Sequence, residues 1–458
     1  MANLKQINAD LRLENKQQAY EIKMLKSTIS DLEKRLALAL SSSKVVKTSR
    51  NSHNPPSQDK FKPKRNTSLR LPSSKSSGGQ PNHKGQTLKM VSNPDQVEVL
   101  KSNFCRKCGS NLSASHHYKA SERQVIDLPV VRPITTAYHQ YACQCSCGHV
   151  EKADYPSHAK ASVQYGSGVE ALVSYLSVGQ YLPYKRLTIL LKDLFNLSLS
   201  EGTVFNLLER TKGRAKEIYE QIRLGLLGSA SLGSDETGVR VKGEQNWLWT
   251  WQNADLTYLS VQKTRGFAGI EAIFPDGLAN SVLVSDRLAA QLKTNTKAKQ
   301  VCLAHLLRDL NALQESEKQT WASDFKSLLK KAIALGKTRT SQTQTSYDHG
   351  LATLESQLKA LILNPIDPNY PQTKRFQKAM SKHQAHLLTF LKYEGVPPDN
   401  NASERSIRNV KVKQKVSGSF KTGAEAFAVI RSLIETFNKE GLNIYDCLKT
   451  LSLIPNTS

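Results

Sequence analysis

The sequence predicts a multidomain protein that combines an α/β domain with several helical segments. The chain has 458 residues, which is enough for two or three domains. Apolar spacing follows a helical period in the first half, then alternates as in strands, and returns to a helical period. Five of the seven cysteines lie between positions 105 and 147, which indicates a separate metal-binding module.

The charge balance is strongly basic, with 64 lysines and arginines against 39 acidic residues and a net charge of +25. This excess predicts a polyanionic partner, and nucleic acid fits better than a membrane because no lipid-facing helix is evident. No apolar run approaches the roughly 18 residues of a membrane span. The first residues lack the apolar core of a secretory signal, so we expect a cytoplasmic protein.

The first 93 residues read as two segments. Residues 1–40 are predicted to form a coiled-coil helix, whose seam consists of Leu4, Ile7, Leu11, Ile22, Leu25, Ile29, Leu32 and Leu36. Self-association into a homo-oligomer is expected from this seam, and a solvated single helix is the open alternative. Residues 41–93 carry eleven basic residues against Asp59 alone, which predicts a basic, disordered tether that grips phosphates without reading bases.

Residues 94–160 are predicted to bind zinc. Cys105 and Cys108 form a C-x2-C pair followed by a glycine, and Cys143 with Cys147 supplies a second pair. Four thiolates complete a closed tetrahedral site, so the Zn²⁺ would be structural. Cys145 can replace Cys143, and unligated reduced thiols are the alternative. The residues between the pairs look β-rich, as in a zinc ribbon.

Residues 161–228 are predicted to be helical and to resemble a helix-turn-helix, with an ordinary helical hairpin as the alternative. Asn206 and Arg210 would face DNA from the second helix. The inward positions of the two helices are Leu187, Leu190, Leu191, Leu194, Val204, Leu207 and Leu208.

Residues 229–440 switch to strand periodicity. The segments "LGSDETGVRV", "NWLWTW" and "LTYLSV" alternate, and a short helical stretch leads to the buried strand "SVLVSD". Three antiparallel strands, a crossover helix and a parallel strand open a ribonuclease H-like α/β fold. The first and fourth strands are then neighbours, so Asp235 and Asp286 should converge.

Two converging carboxylates repel each other unless a divalent cation lies between them, and a hard cation such as Mg²⁺ prefers oxygen ligands. Glu404, in the stretch "PPDNNASERSIRNVKVKQK", is the candidate for a third carboxylate. Helical spacing places Arg408 on the same face as Glu404. A solvated helix face is the alternative for this stretch.

Several motifs together resemble the transposases of the insertion sequence 66 family. They are "GSDETGVRV", "SD" at 285–286, "CLAHLLRDL", "EGVPPDNNASERSIRNVK" and "GSFKTGAEAFAVIRSLIETFNKEGLN". The resemblance implies a DDE-type catalytic domain in which Asp235, Asp286 and Glu404 bind Mg²⁺ or Mn²⁺. Residues from about 310 to 395 would be a helical insertion, followed after residue 440 by the tail 441–458.

The implied activity is metal-dependent cleavage at the 3′ ends of an insertion sequence, followed by strand transfer into target DNA. Double-stranded DNA would be the partner, both as terminal inverted repeats and as target, in a bacterial, nucleoid-associated protein. Arg308, Arg405 and Arg408 are expected to contact DNA. Cys302 and His305 are too few to bind zinc alone, so we expect a packed cysteine and a histidine that orients the site. The alternative function is a catalytically decayed, transposase-derived repressor.

Overall fold

The computed structural model describes residues 14–30, 32–33 and 88–454. The chain divides into two compact units, one formed by Lys64–Tyr155 with Thr188–Ser200 and the other by the rest of the chain. Much of the predicted coiled-coil seam and most of the predicted tether lie outside the described residues. The N-terminal helix α1 covers residues 14–30 and 32–33. Its seam residues Ile22, Leu25, Ile29 and Leu32 are exposed, and the coiled coil stays a prediction.

The cysteine-containing unit has little regular structure. Strands β1 (Ala142–Gln144) and β2 (Val150–Lys152) form an antiparallel hairpin, and Phe104 forms an isolated bridge with Asn111. Between residues 112 and 141 the structure contains neither helix nor strand, so the prediction of a β-rich segment there is wrong. Pro129 and Pro133 interrupt this stretch, and proline cannot donate the hydrogen bond that a strand pairing requires.

The predicted helical block is present. It consists of α2 (Ser167–Ser174), a π-helical turn (Tyr175–Gly179), α3 (Tyr184–Phe195) and α4 (Glu201–Leu227). The predicted inward positions Leu187, Leu191, Val204, Leu207 and Leu208 are buried. Leu194 is 63% exposed, so its predicted burial is wrong. It lies in the last turn of α3, which ends at Phe195.

A five-stranded mixed sheet forms the centre of the larger unit. The strands are β3 (Ser231–Val241), β4 (Glu244–Gln252), β5 (Thr257–Gln262), β6 (Leu278–Ser285) and β7 (Thr296–Val301), in the order β5-β4-β3-β6-β7. Strands β3, β4 and β5 pair antiparallel, whereas β3 pairs parallel with β6 and β6 with β7. The predicted neighbour relation of the first and fourth strands is therefore confirmed.

Helices complete the larger unit. They are α5 (Phe267–Glu271), α6 (Ala289–Lys293), α7 (Leu303–Glu317), α8 (Thr320–Lys337), α9 (Gln344–Leu363), α10 (Pro371–Lys382), α11 (Thr389–Lys392), α12 (Asn401–Ser417), α13 (Ala424–Lys439) and α14 (Ile444–Leu451). Helices α7 to α11 share one hydrophobic core that also includes Val282, Val284 and Val301 of the sheet. Helix α12 packs against β3, and α13 against β5 and α4. Within the described part of the chain, the helices are too short or too polar to cross a membrane.

Candidate active site

Asp235 lies on the central strand β3, opposite Thr250 of β4, and Asp286 directly follows the end of β6. Strands β3 and β6 are parallel neighbours in which Gly233 lies opposite Val284, so Asp235 and Asp286 each lie two residues beyond this pair. Burial, together with the nearby charges of Asp286, Glu236 and Glu404, raises the pKa of Asp235 to about 8. The three acids predicted from the sequence are therefore electrostatically coupled.

Glu404 lies in the first turn of α12, and its side chain is only 18% exposed. Its Oε1 is 3.1 Å from a guanidinium nitrogen of Arg308 and 3.4 Å from His305 Nε2. Its Oε2 is 4.0 Å from Arg408, as the helical spacing predicts. These contacts exclude a fully solvated helix face at this position, although Arg405 and Arg408 themselves are exposed.

The start of α12 is fixed against the central strand. Asn400 is the residue before the helix, and its side-chain amide donates to the Ser234 carbonyl oxygen at 2.6 Å. A Cβ on Gly233 would lie 2.6 Å from the Ser403 hydroxyl oxygen and 2.8 Å from Asn400 Oδ1. Only glycine at position 233 lets the start of α12 approach β3 this closely. This approach brings Glu404 towards the strand that carries Asp235.

His305 contacts two of the three predicted acids. Its Nδ1 is 2.7 Å from Asp286 Oδ1, and its Nε2 faces Glu404. Burial disfavours the charged ring, but hydrogen bonds with Asp286 and Cys302 outweigh it and raise the pKa of His305 to about 10. The spacing of Cys302 and His305 is visible in the sequence, whereas the contact with Glu404 joins helices that are far apart along the chain.

Two sets of possible metal ligands overlap at Asp286. The ligand atoms of Asp286, Cys302 and His305 all lie within 4.8 Å of one another. This set offers a thiol and an imidazole, which suit softer metals than Mg²⁺. Asp235, Asp286 and Glu404 offer only carboxylate oxygens, and burial together with the charges of the other two acids raises the pKa of Asp235. The carboxylate set fits a hard divalent cation.

A fourth acid, which the sequence did not single out, lies beside Asp235. The Glu236 side chain is 5% exposed and forms an ion pair with Arg265, in which Arg265 Nη2 lies 2.8 Å from Glu236 Oε1. Burial raises the pKa of Glu236, and Arg265 opposes that shift. Arg265 also lies over the Trp247 ring, 5.1 Å from its centroid. Glu236 thus differs from Asp235 in that its carboxylate has a cationic partner, Arg265.

The predicted DNA contacts differ in their surroundings. Asn206 is exposed on α4, as are Arg405 and Arg408 on α12. Arg210 is 40% exposed, and its Nε lies 3.8 Å from the buried carboxylate of Glu170, which also pairs with Arg214. Arg308 is engaged with Glu404. Arg210 and Arg308 thus already have acidic partners within the chain.

The predicted zinc ligands lie in two turns. The Gly109 amide donates to the Cys105 carbonyl oxygen, and the Gly148 amide to that of Cys145. The hydroxyl of Ser110, 3.2 Å from Cys108 Sγ, lowers the pKa of this thiol to about 7. Among the described residues, the structure does not bring three of the cysteine sulfurs within 4.8 Å of one another. The zinc site stays a prediction, with Cys143 and Cys145 both open as ligands.

The mixed sheet and the acids at its edge define an α/β protein with a carboxylate-rich centre. A family model described as "Transposase IS66 family" matches residues 162–428, which include β3 to β7, Asp235, Asp286 and Glu404. The chain belongs to the IS66 transposase family, a family of DNA-processing enzymes. The resemblance found in the sequence motifs is thereby confirmed. A comparison with curated proteins finds no match.

Proposed function

We propose that the protein is a metal-dependent DDE transposase that binds the ends of an insertion sequence and catalyses 3′-end cleavage and strand transfer. The observation that carries this proposal is geometric: Asp235 lies on β3, Asp286 follows the neighbouring parallel strand β6, and His305 joins Asp286 to Glu404. The strand order β5-β4-β3-β6-β7 supports a ribonuclease H-like catalytic domain, in which α7 to α11 form the helical insertion.

Asp235, Asp286 and Glu404 would hold Mg²⁺ or Mn²⁺. When bound, such a cation supplies Lewis-acid stabilisation of the phosphodiester and lowers the pKa of the attacking water or hydroxyl. Asp235 lies on the central strand of the sheet, and the charges of both other acids contribute to its raised pKa. Its proton must leave before the carboxylate can act as a ligand, so cation binding should release protons.

His305 and Arg308 act on the acids from α7. His305 fixes Asp286 through Nδ1, and Arg308 fixes one oxygen of Glu404. Ligands that are oriented by neighbouring hydrogen bonds hold metals better than free side chains do. Positioning of the acids is therefore the role that we propose for His305.

The helices carry the proposed DNA contacts. Asn206 and Arg210 of α4 would discriminate bases at the element ends, whereas Arg405 and Arg408 of α12 would hold phosphates next to Glu404. Arg308 lies close enough to Glu404 to contact a phosphate that reaches the acids. The basic residues of 41–93 would add affinity without sequence preference.

The remaining proposals concern assembly. One structural Zn²⁺ would be held by Cys105, Cys108, Cys147 and either Cys143 or Cys145, since two turns with accessible thiols, of which only that of Cys105 is half-buried, suit tetrahedral thiolate ligation. The exposed apolar residues of α1 would pair with a second copy of the chain. Association with the bacterial nucleoid follows from the proposed DNA binding.

A cleavage assay tests the proposed function. Purified protein is incubated with a duplex that contains an inverted repeat flanking the gene, with Mg²⁺ or with a chelator. We expect Mg²⁺-dependent nicks that leave 3′ hydroxyls at the element ends, and joining of these ends to a second duplex. Asp286→Asn serves as the inactive control. Specific binding by the wild-type protein without any Mg²⁺- or Mn²⁺-dependent nick would favour the repressor instead.

A further inference from the structure

Helix α10 carries a row of cations that the proposed catalytic centre does not use. Its twelve residues include Lys374, Arg375, Lys378 and Lys382 and contain no acid. All four cations are exposed, whereas the opposite face is buried through Thr373, Phe376 and Met380. The helix is therefore amphipathic, with a polar face of one charge only.

The absence of acids distinguishes α10 from its neighbours, since α8 contains Asp324 and α9 contains Asp348 and Glu355. Across residues 14–30, 32–33 and 88–454, Lys374, Arg375, Lys378 and Lys382 form no ion pair. Lys392 instead pairs with Glu355, and the Lys326 ammonium donates to Gln314. A solvated helix face usually mixes both signs of charge. A helix face that carries only positive charges indicates a polyanionic binding partner outside the chain.

Helix α10 is fixed at two points, one at the C-terminal end of α7 and one beside the residue that follows Asp286. The carboxylate of Glu317, the last residue of α7, accepts hydrogen bonds from the backbone amides of Gln372 and Thr373 at 2.8 and 2.9 Å. Further along the helix, the guanidinium of Arg287 lies over the Phe376 ring, 5.7 Å from its centroid. Arg287 directly follows Asp286 and pairs with Asp309 of α7.

The electrostatics at the C-terminal end of α10 agree with this placement. Burial lowers the pKa of His383, and the positive charges of Lys382 and Arg287 lower it further. Lys382 and the residue next to Asp286 therefore act on the same side chain. The C-terminal end of α10 therefore lies near Arg287, the residue that follows Asp286.

We propose that the exposed face of α10 binds the phosphate backbone of the duplex DNA that is being processed at Asp235, Asp286 and Glu404, without reading its sequence. This inference rests on the proposed function and adds a second contact surface to it. Lys374, Lys378 and Lys382 are four residues apart, so the row extends for about 12 Å along the helix. One DNA strand presents a phosphate about every 3.4 Å of its axis, so the row spans about three to four phosphates.

The test compares two triple variants of the full-length protein. K374Q/K378Q/K382Q removes the row, and K331Q/K337Q/K359Q removes the same charge from exposed positions of α8 and α9. Binding to an element-end duplex and to a random duplex is titrated across a salt series. We expect the α10 variant to weaken both complexes by the same factor, about tenfold or more at low salt, and the control variant to bind nearly as the wild type does.

The salt dependence gives the decisive readout. Each lost phosphate contact should reduce the slope of log affinity against log salt by about 0.9, so the α10 variant should lose roughly 2 to 3. The inference would be overturned if the salt slope of the α10 variant were unchanged. It would also be overturned if this variant lost no more affinity than the control variant, or lost affinity only for the element-end duplex. The titration needs no cleavage, so protein that fails to cut DNA but shows this slope change would overturn only the proposed function.

Discussion

His305 Nδ1 lies 2.7 Å from Asp286 Oδ1, and the same ring faces Glu404 with its other nitrogen. A single side chain of α7 thus connects the acid that follows β6 with the acid in the first turn of α12. With three carboxyl groups in one site, a fixed partner between two of them sets the spacing of these two before any cation binds.

Replacement of His305 should weaken cation binding more than it weakens DNA binding. We expect His305→Ala to raise the Mg²⁺ concentration for half-maximal cleavage about 10- to 100-fold, as the loss of a ligand-orienting partner usually does. His305→Asn keeps a donor for Asp286 and should give a smaller increase. The exposed His349 provides the control variant His349→Ala. Equal losses of activity in both His305 variants, with an unchanged Mg²⁺ requirement, would indicate a packing role only.

The raised pKa of Asp235 predicts how the stability of the metal-free protein depends on pH. An aspartate in an unfolded chain has a pKa of about 3.9, whereas that of Asp235 in the folded protein is about 8. Between these values the folded state keeps a proton that the unfolded state has released. The free energy of unfolding should therefore fall as pH rises from about 4 to 8.

Asp235→Asn removes this dependence. In the absence of metal, the variant should melt at a higher temperature than the wild type at pH 8, and the difference should shrink near pH 4. Added Mg²⁺ should stabilise only the wild type, because ligands that bind the folded state raise its stability. Thermal unfolding measured in chelator and in Mg²⁺ checks both expectations. If the difference in melting temperature between Asp235→Asn and the wild type did not change with pH, the raised pKa of Asp235 would be contradicted.

The two cysteine turns predict one zinc per chain. Cys108→Ser should release the metal, since the thiolate is the ligand and a hydroxyl replaces it poorly. Elemental analysis of Cys143→Ser and Cys145→Ser should show zinc loss in one of them, which identifies the fourth ligand. Cys447→Ser, in α14, should keep its zinc. Wild-type protein purified without zinc would refute the site.

Helix α4 and the basic segment should contribute differently to DNA binding. Deletion of residues 41–93 should lower affinity for all duplexes alike, because phosphate contacts carry no sequence information. Asn206→Ala should reduce the preference for element ends by about 1–3 kcal/mol while leaving random DNA unaffected. Arg210→Ala should act similarly but also destabilise the fold, because Glu170 is buried and loses a partner. Lys216→Gln, an exposed change on α4, is the control. If deletion of residues 41–93 removed the preference for element ends and Asn206→Ala did not, the proposed roles of the basic segment and α4 would be contradicted.

The central sheet was largely predictable from the sequence. Alternating residues in β3, β4 and β5, with short turns between them, predict an antiparallel set, and the apolar run of β6 predicts a buried parallel strand. Strand β7 was missed because its sequence "TKAKQV" carries two lysines and only its end is buried. The segment between the cysteine pairs was predicted wrongly because residues that favour strands do not by themselves supply a partner strand.

The candidate site was predictable only in part. Three acids follow from strand ends and a recognisable motif, whereas their partners depend on contacts between distant segments. Arg308 looks like a free phosphate ligand in the sequence but pairs with Glu404 in the structure. Asn400 is the residue before α12, and its amide hydrogen-bonds to the backbone of β3 instead of capping the helix. The spacing of residues along the chain does not predict these hydrogen-bond and ion-pair partners, because the packing of distant segments determines which polar groups come into contact.

The most direct measurement concerns Glu404. Glu404→Gln keeps the shape and the hydrogen bond to Arg308 but removes the charge that a cation requires. The matched control Glu394→Gln changes an exposed glutamate before the same helix. In Mg²⁺, we expect Glu404→Gln to bind element ends as well as the wild type does, while cleavage and strand transfer fall together by orders of magnitude. Glu394→Gln should remain fully active. Cleavage by Glu404→Gln at a near wild-type rate would contradict the three-carboxylate centre.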